Sequence, residues 1–457
     1  MKKKMSLADY NAMPVRKAVT HNAVPAMFTM LMVLVYNLAD TLFIGLTHDA
    51  YQVAAISLAT PLFMMYSACS NIFGMGGTSV IARAMGQQKG DYAKKVCSFC
   101  MWTATAVGII FAILFFVFAK PILTVLGASR DTLSLANSYL TIVAFAGPLA
   151  MISGTFSKIL TAEGQPKKAM MGSMIGNILN IILDPIMILG FHWNIAGAAI
   201  ATLISNMVAA GYYLLYFVRG NSSLSIKVRD YTLKGKVCSG VLAIGIPAGL
   251  GSMVMGVSVM FINNLMAGYG DMALAGSGVA TKITMITGML CIGVGQGVQP
   301  LLGFSIGEKN QKRFKETFRF SLIFAFIVGL IMTGICYLFL EQIVGVFLTD
   351  VNAYQYAFGF GKILLTTSSL FGIFYVLQNS IQAMGMGFAA LIVNISRQGL
   401  IYIPLLYVFN HILGVNGLIW AQPVADVLAL LLAAVFVFIS YRKLFCKVDM
   451  VSAEACI

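Results

Sequence analysis

The chain is a nearly unbroken series of apolar stretches, with no soluble domain between them. Twelve can be marked, at roughly 20–46, 52–80, 96–119, 133–158, 169–191, 194–218, 237–267, 272–304, 319–341, 354–382, 388–410 and 415–440. A helix needs about 20 apolar residues to cross a bilayer, and only helices and closed barrels satisfy their own backbone inside lipid. Composition agrees. Of 457 residues, 59% are hydrophobic and 10% are charged, where a soluble globular chain carries about 25% charged residues. The mean hydropathy is +0.87. The sequence therefore predicts an all-α integral membrane protein with 12 transmembrane helices. It excludes a soluble enzyme, a nucleic-acid binder and a disordered chain.

Charge placement tests the helix count. The net charge is +14, from 30 Lys and Arg against 16 Asp and Glu. Twenty-five of the 30 fall among alternate segments: the N-terminus, 82–95, 157–168, 219–236, 306–319, 383–387 and the C-terminus. Only Lys120 and Arg130 fall on the opposite side, and Lys282, Lys362 and Arg397 lie inside predicted helices. Basic loops stay in the cytoplasm, so both termini are expected there. A missed or surplus helix would scramble this alternation. The basic start, Met1-Lys2-Lys3-Lys4, precedes no short apolar core with a cleavage site, so it is read as retained.

The two halves resemble each other. Gly74, Gly76 and Gly86 have counterparts Gly295, Gly297 and Gly307, all displaced by 221 residues. The same displacement maps Ala59-Thr60 onto Ala280-Thr281 and Ala162-x-Gly164 onto Ala383-x-Gly385. Pro25-Ala26 maps onto Pro247-Ala248 at 222. Six helices separate the repeats, so the halves share one orientation, related by a pseudo-twofold axis along the membrane normal. The expected organisation is an N-terminal lobe over 1–218, a cytoplasmic linker over 219–236, and a C-terminal lobe with a short tail over 237–457. Two parallel six-helix lobes suggest alternating access, with a site between them.

Little points to enzyme chemistry. Cys69, Cys238, Cys291 and Cys336 lie within apolar runs, and Cys97-x-x-Cys100 stands without a second pair or a His cluster. His21, His48, His192 and His411 are scattered over different helix ends. There is neither a Walker A sequence nor a nucleophile elbow. The expectation is no enzyme, no cofactor and no nucleic-acid partner.

Ionisable groups at membrane depth are costly, so they are functional candidates. Three acids qualify: Asp40, Asp184 and Asp426. Asn37 and Asp40 are three apart, and Asn177, Asn180 and Asp184 are spaced three and four, so each set shares a helix face. Pro185 withholds an N–H from the ladder and can kink the helix there. At 1.5 Å per residue, Asp40 lies about 30 Å from the cytoplasmic start of the first helix, and Asp184 about 24 Å into the fifth. Thr202 lies about 12 Å, and Tyr139 about 9 Å, inward from the outer surface. Asp40, Asp184, Asn180, Thr202 and Tyr139 can thus meet at one level. Two nearby carboxylates share a proton or recruit a cation, and oxygen ligands suit a hard ion such as Na⁺.

The C-terminal half differs. Arg397 and Asp426 both fall near mid-depth, either as a buried ion pair or as part of a second ion or substrate site, and Lys282 is an alternative partner for Asp426. Asn37, Asn177, Gln296, Gln299, Gln378 and Asn379 either line a cleft or only bridge helices. The 28 methionines offer either adaptable binding surface or ordinary packing.

Three segments carry a family resemblance: Val35-Tyr36-Asn37-Leu38-Ala39-Asp40-Thr41-Leu42-Phe43-Ile44-Gly45; the run from Gly295-Gln296-Gly297-Val298-Gln299-Pro300 to Gly307; and the fifth-helix run ending in Asp184-Pro185. Together they resemble the multidrug and toxic compound extrusion (MATE) family, in its bacterial branch, over nearly the full length. The resemblance implies a pair of six-helix bundles in a bacterial plasma membrane, expected as a monomer. Such proteins export lipophilic cationic compounds in exchange for Na⁺ or H⁺. Carried over, the cation network falls on Asp40, Asn180, Asp184 and Thr202, with Tyr36 and Tyr139 alongside. Some relatives carry acids in helices seven and ten; this chain has none there, which leaves Asp426 as the substitute. The expected cycle neutralises Asp40 and Asp184, with Pro25 or Pro185 as bending points. Two other readings share the architecture: a lipid-linked precursor flippase, whose cationic cavity would have only Lys282 and Arg397, and a solute importer.

Overall fold

A computed structural model describes residues 9, 13–45, 50–348 and 350–446. The basic start Lys2-Lys3-Lys4, His48 and the tail after residue 446 lie outside them. The described chain is helical: α1 (Val15–Gly45), α2 (Ala50–Gly86), α3 (Gly90–Val117), α4 (Ala119–Val125), α5 (Arg130–Ala162), α6 (Pro166–Pro185), α7 (Asn194–Val218), α8 (Val237–Ala267), α9 (Asp271–Gly307), α10 (Gln311–Leu338), α11 (Leu340–Phe347), α12 (Val351–Ser368), α13 (Phe371–Ala383), α14 (Gly387–Ile395) and α15 (Tyr402–Tyr441).

Ten of these helical stretches are long and apolar enough to cross a membrane, and α12 with α13, bent by 48°, make an eleventh. The last of the ten runs 59 residues, from Gly387 to Phe445. At 1.5 Å per residue that is about 90 Å, far more than the roughly 30 Å of hydrocarbon. It divides at Gly414, whose φ of 60° and ψ of −140° lie outside helical space and suit a residue without a Cβ. The stretch therefore supplies two crossings, and the described residues hold the twelve that the hydropathy predicts. Helix ends differ from the sequence reading, because α5 continues to Ala162. Lys158, counted above with a cytoplasmic loop, lies within α5, and its Nζ donates to the Gly154 carbonyl at 3.3 Å.

Contacts group the chain into two compact units. The first takes in Leu31–Gly249; the second takes in the described residues of Ala8–Met30 and Leu250–Ile457. The units are not contiguous in sequence: α1 and α8 each give their first half to one unit and their second half to the other. Glycine columns accompany this exchange. A Cβ on Gly245 would strike the Ile72 carbonyl of α2, and one on Gly249 would lie 2.6 Å from Ile72 Cγ1. In the second unit, a Cβ on Gly293 of α9 would lie 2.6 Å from Met27 Cα, and one on Gly297 2.7 Å from Ala23 Cα. Both are Gly-x-x-x-Gly faces, which let helices approach backbone to backbone in lipid.

Within the first unit, α2 packs along α5. Tyr66 is buried there, donates its hydroxyl to the Ala144 carbonyl at 3.2 Å, and meets Phe115 edge-on at 5.5 Å. In the second unit α9 plays the part of α2 and packs on α10, α12 and α13. The polar stretch 219–236 is strapped to the first unit. The Glu163 carboxylate accepts from Ser222 Oγ at 2.8 Å and Ser223 Oγ at 2.9 Å. Ser98 donates to the Lys227 carbonyl and Trp102 to that of Ile226.

These columns set a stability test. Gly245→Leu should destabilise the protein in detergent by about 1–3 kcal/mol, the usual cost of overpacking. Gly211→Leu, on the open side of α7 with nothing within 4 Å of a Cβ, should leave the melting temperature within about 2 °C of wild type, since surface changes are usually small. Equal melting curves for the two variants would contradict the packing described.

Candidate functional site

The first unit gathers one polar cluster from α1, α5, α6 and α7. On α6, the spacing of Asn180 and Asp184 puts both side chains on the buried face; Asn180 is 2% exposed and Asp184 0%. The Asn180 amide bridges two helices: its nitrogen donates to Asp184 Oδ2 at 3.1 Å, and its oxygen accepts from the Thr202 backbone N–H of α7 at 3.2 Å. Tyr36 of α1 lies within hydrogen-bonding reach of the Thr202 side chain, and within electrostatic reach of both Asp40 and Asp184. Tyr139 of α5 stands in the same field, beside Asp40, Tyr36 and Asp184. All six residues singled out from the sequence are therefore neighbours.

Local backbone chemistry explains the meeting. Pro185 has no N–H to give the preceding turn, and the helix continues from it as a π-turn over Ile186–Gly190. Such wide turns are common at functional positions. Ile188 of this turn is buried with Ala198 of α7 and Ile44 of α1. That contact holds the end of α1, one turn past Asp40, against the end of α6 that carries Asp184.

Neither Asp40 nor Asp184 has an ion-pair partner among the described residues. Alongside lies a cavity of about 180 Å³, lined by Tyr36, Asn177, Asn180, Thr202, Ser205 and Asn206 among others. The Asn177 amide nitrogen is buried without a hydrogen bond, so this candidate faces the cavity with a donor to offer. Asn37 is exposed.

In the second unit Arg397 and Asp426 form the buried ion pair that was one of the two sequence alternatives. Arg397 Nε lies 2.7 Å from Asp426 Oδ1, with side chains only 9% and 4% exposed. Gln422 Nε2 donates to the same oxygen at 2.9 Å, and Thr367 Oγ1 to Oδ2 at 3.4 Å. Arg397 Nη1 donates to Tyr375 Oη at 3.0 Å. Its guanidinium stacks on Phe371 at 4.6 Å and Phe374 at 5.0 Å. Both Asp426 oxygens are thus engaged. Lys282, the alternative partner, places Nζ over the Phe347 ring at 5.6 Å. Gln378 donates to Asn394, and Asn379 to the Tyr375 carbonyl. Gln299 donates to Gln382 at 3.4 Å, and Gln296 is half-buried on α9.

The sequence reading missed Tyr375 and Thr367, because neither stands out on an apolar helix and the bend at 369–370 hides that they share a face with Arg397 and Asp426. Lys158 was missed for a different reason: it sits near enough to a helix end to pass for a loop charge.

Comparison with known proteins follows the same lines. The MatE family model matches residues 25–186 and 247–408, one match in each half. The chain is 31% identical to the multidrug export protein MepA of Staphylococcus aureus (strain MSSA476) over 94% of this chain and 95% of that protein. It is equally identical to MepA of Staphylococcus haemolyticus (strain JCSC1435), over 92% and 93%. Its fold matches a crystal structure of MATE in complex with MaL6 at a TM-score of 0.92, with 23% identity, covering 97% of this chain and 99% of the other. An outward-facing multidrug resistance MATE transporter of the MOP superfamily matches at 0.89, with the same identity and coverage. A duplicated, all-helical membrane chain with one family match per half and relatives along nearly its whole length belongs to the MATE family.

Proposed function

We propose that this chain is a cation-coupled multidrug exporter, and that the coupling cation binds at Asp40 and Asp184. The staphylococcal relatives are named for multidrug export, and the family reading extends that activity here to lipophilic cationic compounds. The observation that carries the coupling site is the unpaired acidic cluster: two carboxylates and no basic side chain against either among the described residues.

Two carboxylates in a low-dielectric site repel, and one bound cation relieves that repulsion. The donors around them are oxygens: carboxylates, the hydroxyls of Tyr36, Tyr139 and Thr202, and the Asn180 amide. That set suits Na⁺ or a proton as transported ion. Asn180 has a positioning task, since it ties Asp184 to α7 through the Thr202 backbone. With the cluster neutralised, α1, α6 and α7 are free to repack, and the Pro185–Gly190 turn, short of one backbone donor, is the point at which α6 bends. Drug then leaves outward, and the return step releases the cation inside. In this reading the protein works as a monomer in a bacterial plasma membrane, with both termini cytoplasmic. Direction separates this account from the solute importer.

Asp40→Asn and Asp184→Asn should each lower efflux of a cationic dye such as ethidium from cells at least tenfold, at unchanged membrane expression. Normal efflux by both variants would refute the coupling site. Asn180→Ala should reduce efflux less than either acid variant, because it removes a brace and not a ligand charge.

Topology has its own check. Green fluorescent protein fused after the last residue should fluoresce, and alkaline phosphatase fused there should be inactive. The reverse pattern would place the C-terminus outside.

A further inference from the structure

The second unit holds its own cavity, of about 360 Å³. That falls within the usual range for small-molecule sites, about 300–1,000 Å³. The sequence repeat shows what it is. The 221-residue displacement, or 222 within the first and seventh helices, carries Val33, Tyr36, Phe63, Gly154, Gly176 and Asn177 onto Met255, Ser258, Thr284, Tyr375, Arg397 and Gln398. The first six line the cavity of the first unit, and their six counterparts line that of the second. The two cavities thus share six lining positions related by the repeat.

Their charged surroundings differ: the first cavity lies beside two carboxylates and has no charged lining residue, while Arg397 lines the second. Asp40, Asn180 and Asp184 correspond to Ile262, Ile401 and Leu405, so the acidic cluster is erased in the second unit. Gly176 becomes Arg397, Gly154 becomes Tyr375, and Ser205 becomes Asp426. These three substitutions install and hold one guanidinium. Asp426 takes its Nε and Tyr375 its Nη1, while Phe371 and Phe374 fix its plane. Arg397 Nη2 carries no hydrogen bond to any described residue, and Arg397 lines the cavity. Asp426 is not among the lining residues, and no other carboxylate is. The remaining wall includes Met255, Met285, Met289 and Phe371, and thioethers and a ring face favour a flat aromatic body.

We propose that this cavity is a binding site for amphipathic aromatic anions, with the carboxylate or sulfonate on Arg397 Nη2 and the ring system among Met255, Met285, Met289 and Phe371. A planar arginine fork held on two sides presents its free edge for a charge-assisted hydrogen bond. A lipophilic cation finds no free acid in this cavity. The site thus accepts a class of compound that the acidic cluster in the first unit repels, and the proposal stands independently of how export is coupled.

The test is equilibrium binding to the purified full chain in detergent, with no ion gradient, using tritiated 2-naphthoate and its cationic counterpart 2-naphthylmethylammonium. Empty micelles give the background. Naphthoate should bind saturably, and displacement by unlabelled naphthoate should be at least tenfold more effective than by the ammonium compound. The double variant Arg397→Gln with Asp426→Asn removes the cation without stranding a buried charge, and should weaken naphthoate binding at least tenfold. Met289→Trp fills the cavity and leaves the ion pair intact, so it keeps the test valid if the double variant fails to fold; it too should weaken binding at least tenfold. Non-saturable naphthoate binding, equal or better displacement by the ammonium compound, or wild-type affinity in Met289→Trp would overturn the proposal. Because transport is not read, loss of coupled export in the Asp40 variant neither supports nor weakens it.

Discussion

Lipid offers no hydrophobic force to bring helices together, since its tails are as apolar as leucine. Contact must come from close backbone approach and from polar groups that find partners. The structure shows both. Glycine columns on α8 and α9 bring backbones within reach of α2 and of the first half of α1, and these are the points at which α1 and α8 pass from one compact unit to the other. The polar groups divide into two sorts. Asp426 has both oxygens engaged, by Arg397, Gln422 and Thr367, and Arg397 is held by Asp426, Tyr375 and aromatic faces with only Nη2 left over. Asp40 and Asp184 share a neighbourhood and have no ion-pair partner among the described residues. The charges are paired in one half, and the acids left without an ion-pair partner among the described residues of the other half are the ones to which the proposed coupling is assigned.

Duplication gives this contrast its meaning. Both halves keep a six-helix arrangement and a cavity with shared lining positions, so the scaffold is similar while the lining varies. In the first unit the lining has amide and hydroxyl as its polar groups, with the two carboxylates alongside. In the second it is methionine, aromatic ring and one oriented guanidinium. The wide turns also recur: one follows Pro185 over Ile186–Gly190, and one over Ser396–Leu400 carries Arg397 itself. The first lies just after Asp184 and the second carries Arg397, each at a point where regular helix geometry is relaxed. The two are not at equivalent positions, which fits separate specialisation of the halves after duplication.

Much of this was legible in the sequence because membrane folds are written in hydropathy. The number of crossings follows from apolar length and charge alternation. The meeting of Asp40, Asn180, Asp184, Thr202 and Tyr139 follows from helix faces and depth, since rise per residue converts position in sequence to level in the membrane, and Tyr36 joins them through the family resemblance. Other features leave no such trace. The strapping of 219–236 depends on Glu163 reaching Ser222 and Ser223, short polar residues that read as loop. The partners of Arg397 depend on the bend between α12 and α13, and hydropathy does not report bends. The exchange of half-helices is invisible to periodicity, although the Gly-x-x-x-Gly pairs that permit it stand in the chain.

The account rests on a cation binding at Asp40 and Asp184, and one measurement addresses that most directly: dye movement in proteoliposomes, with a Na⁺ gradient and a pH gradient imposed separately, for wild type and Asp40→Asn. The account predicts that one of the two gradients drives the dye against its own concentration difference in the wild type, which names the ion, and that the variant does not respond to it. Dye movement in the variant equal to wild type, or indifference of the wild type to both gradients across several cationic dyes, would contradict it.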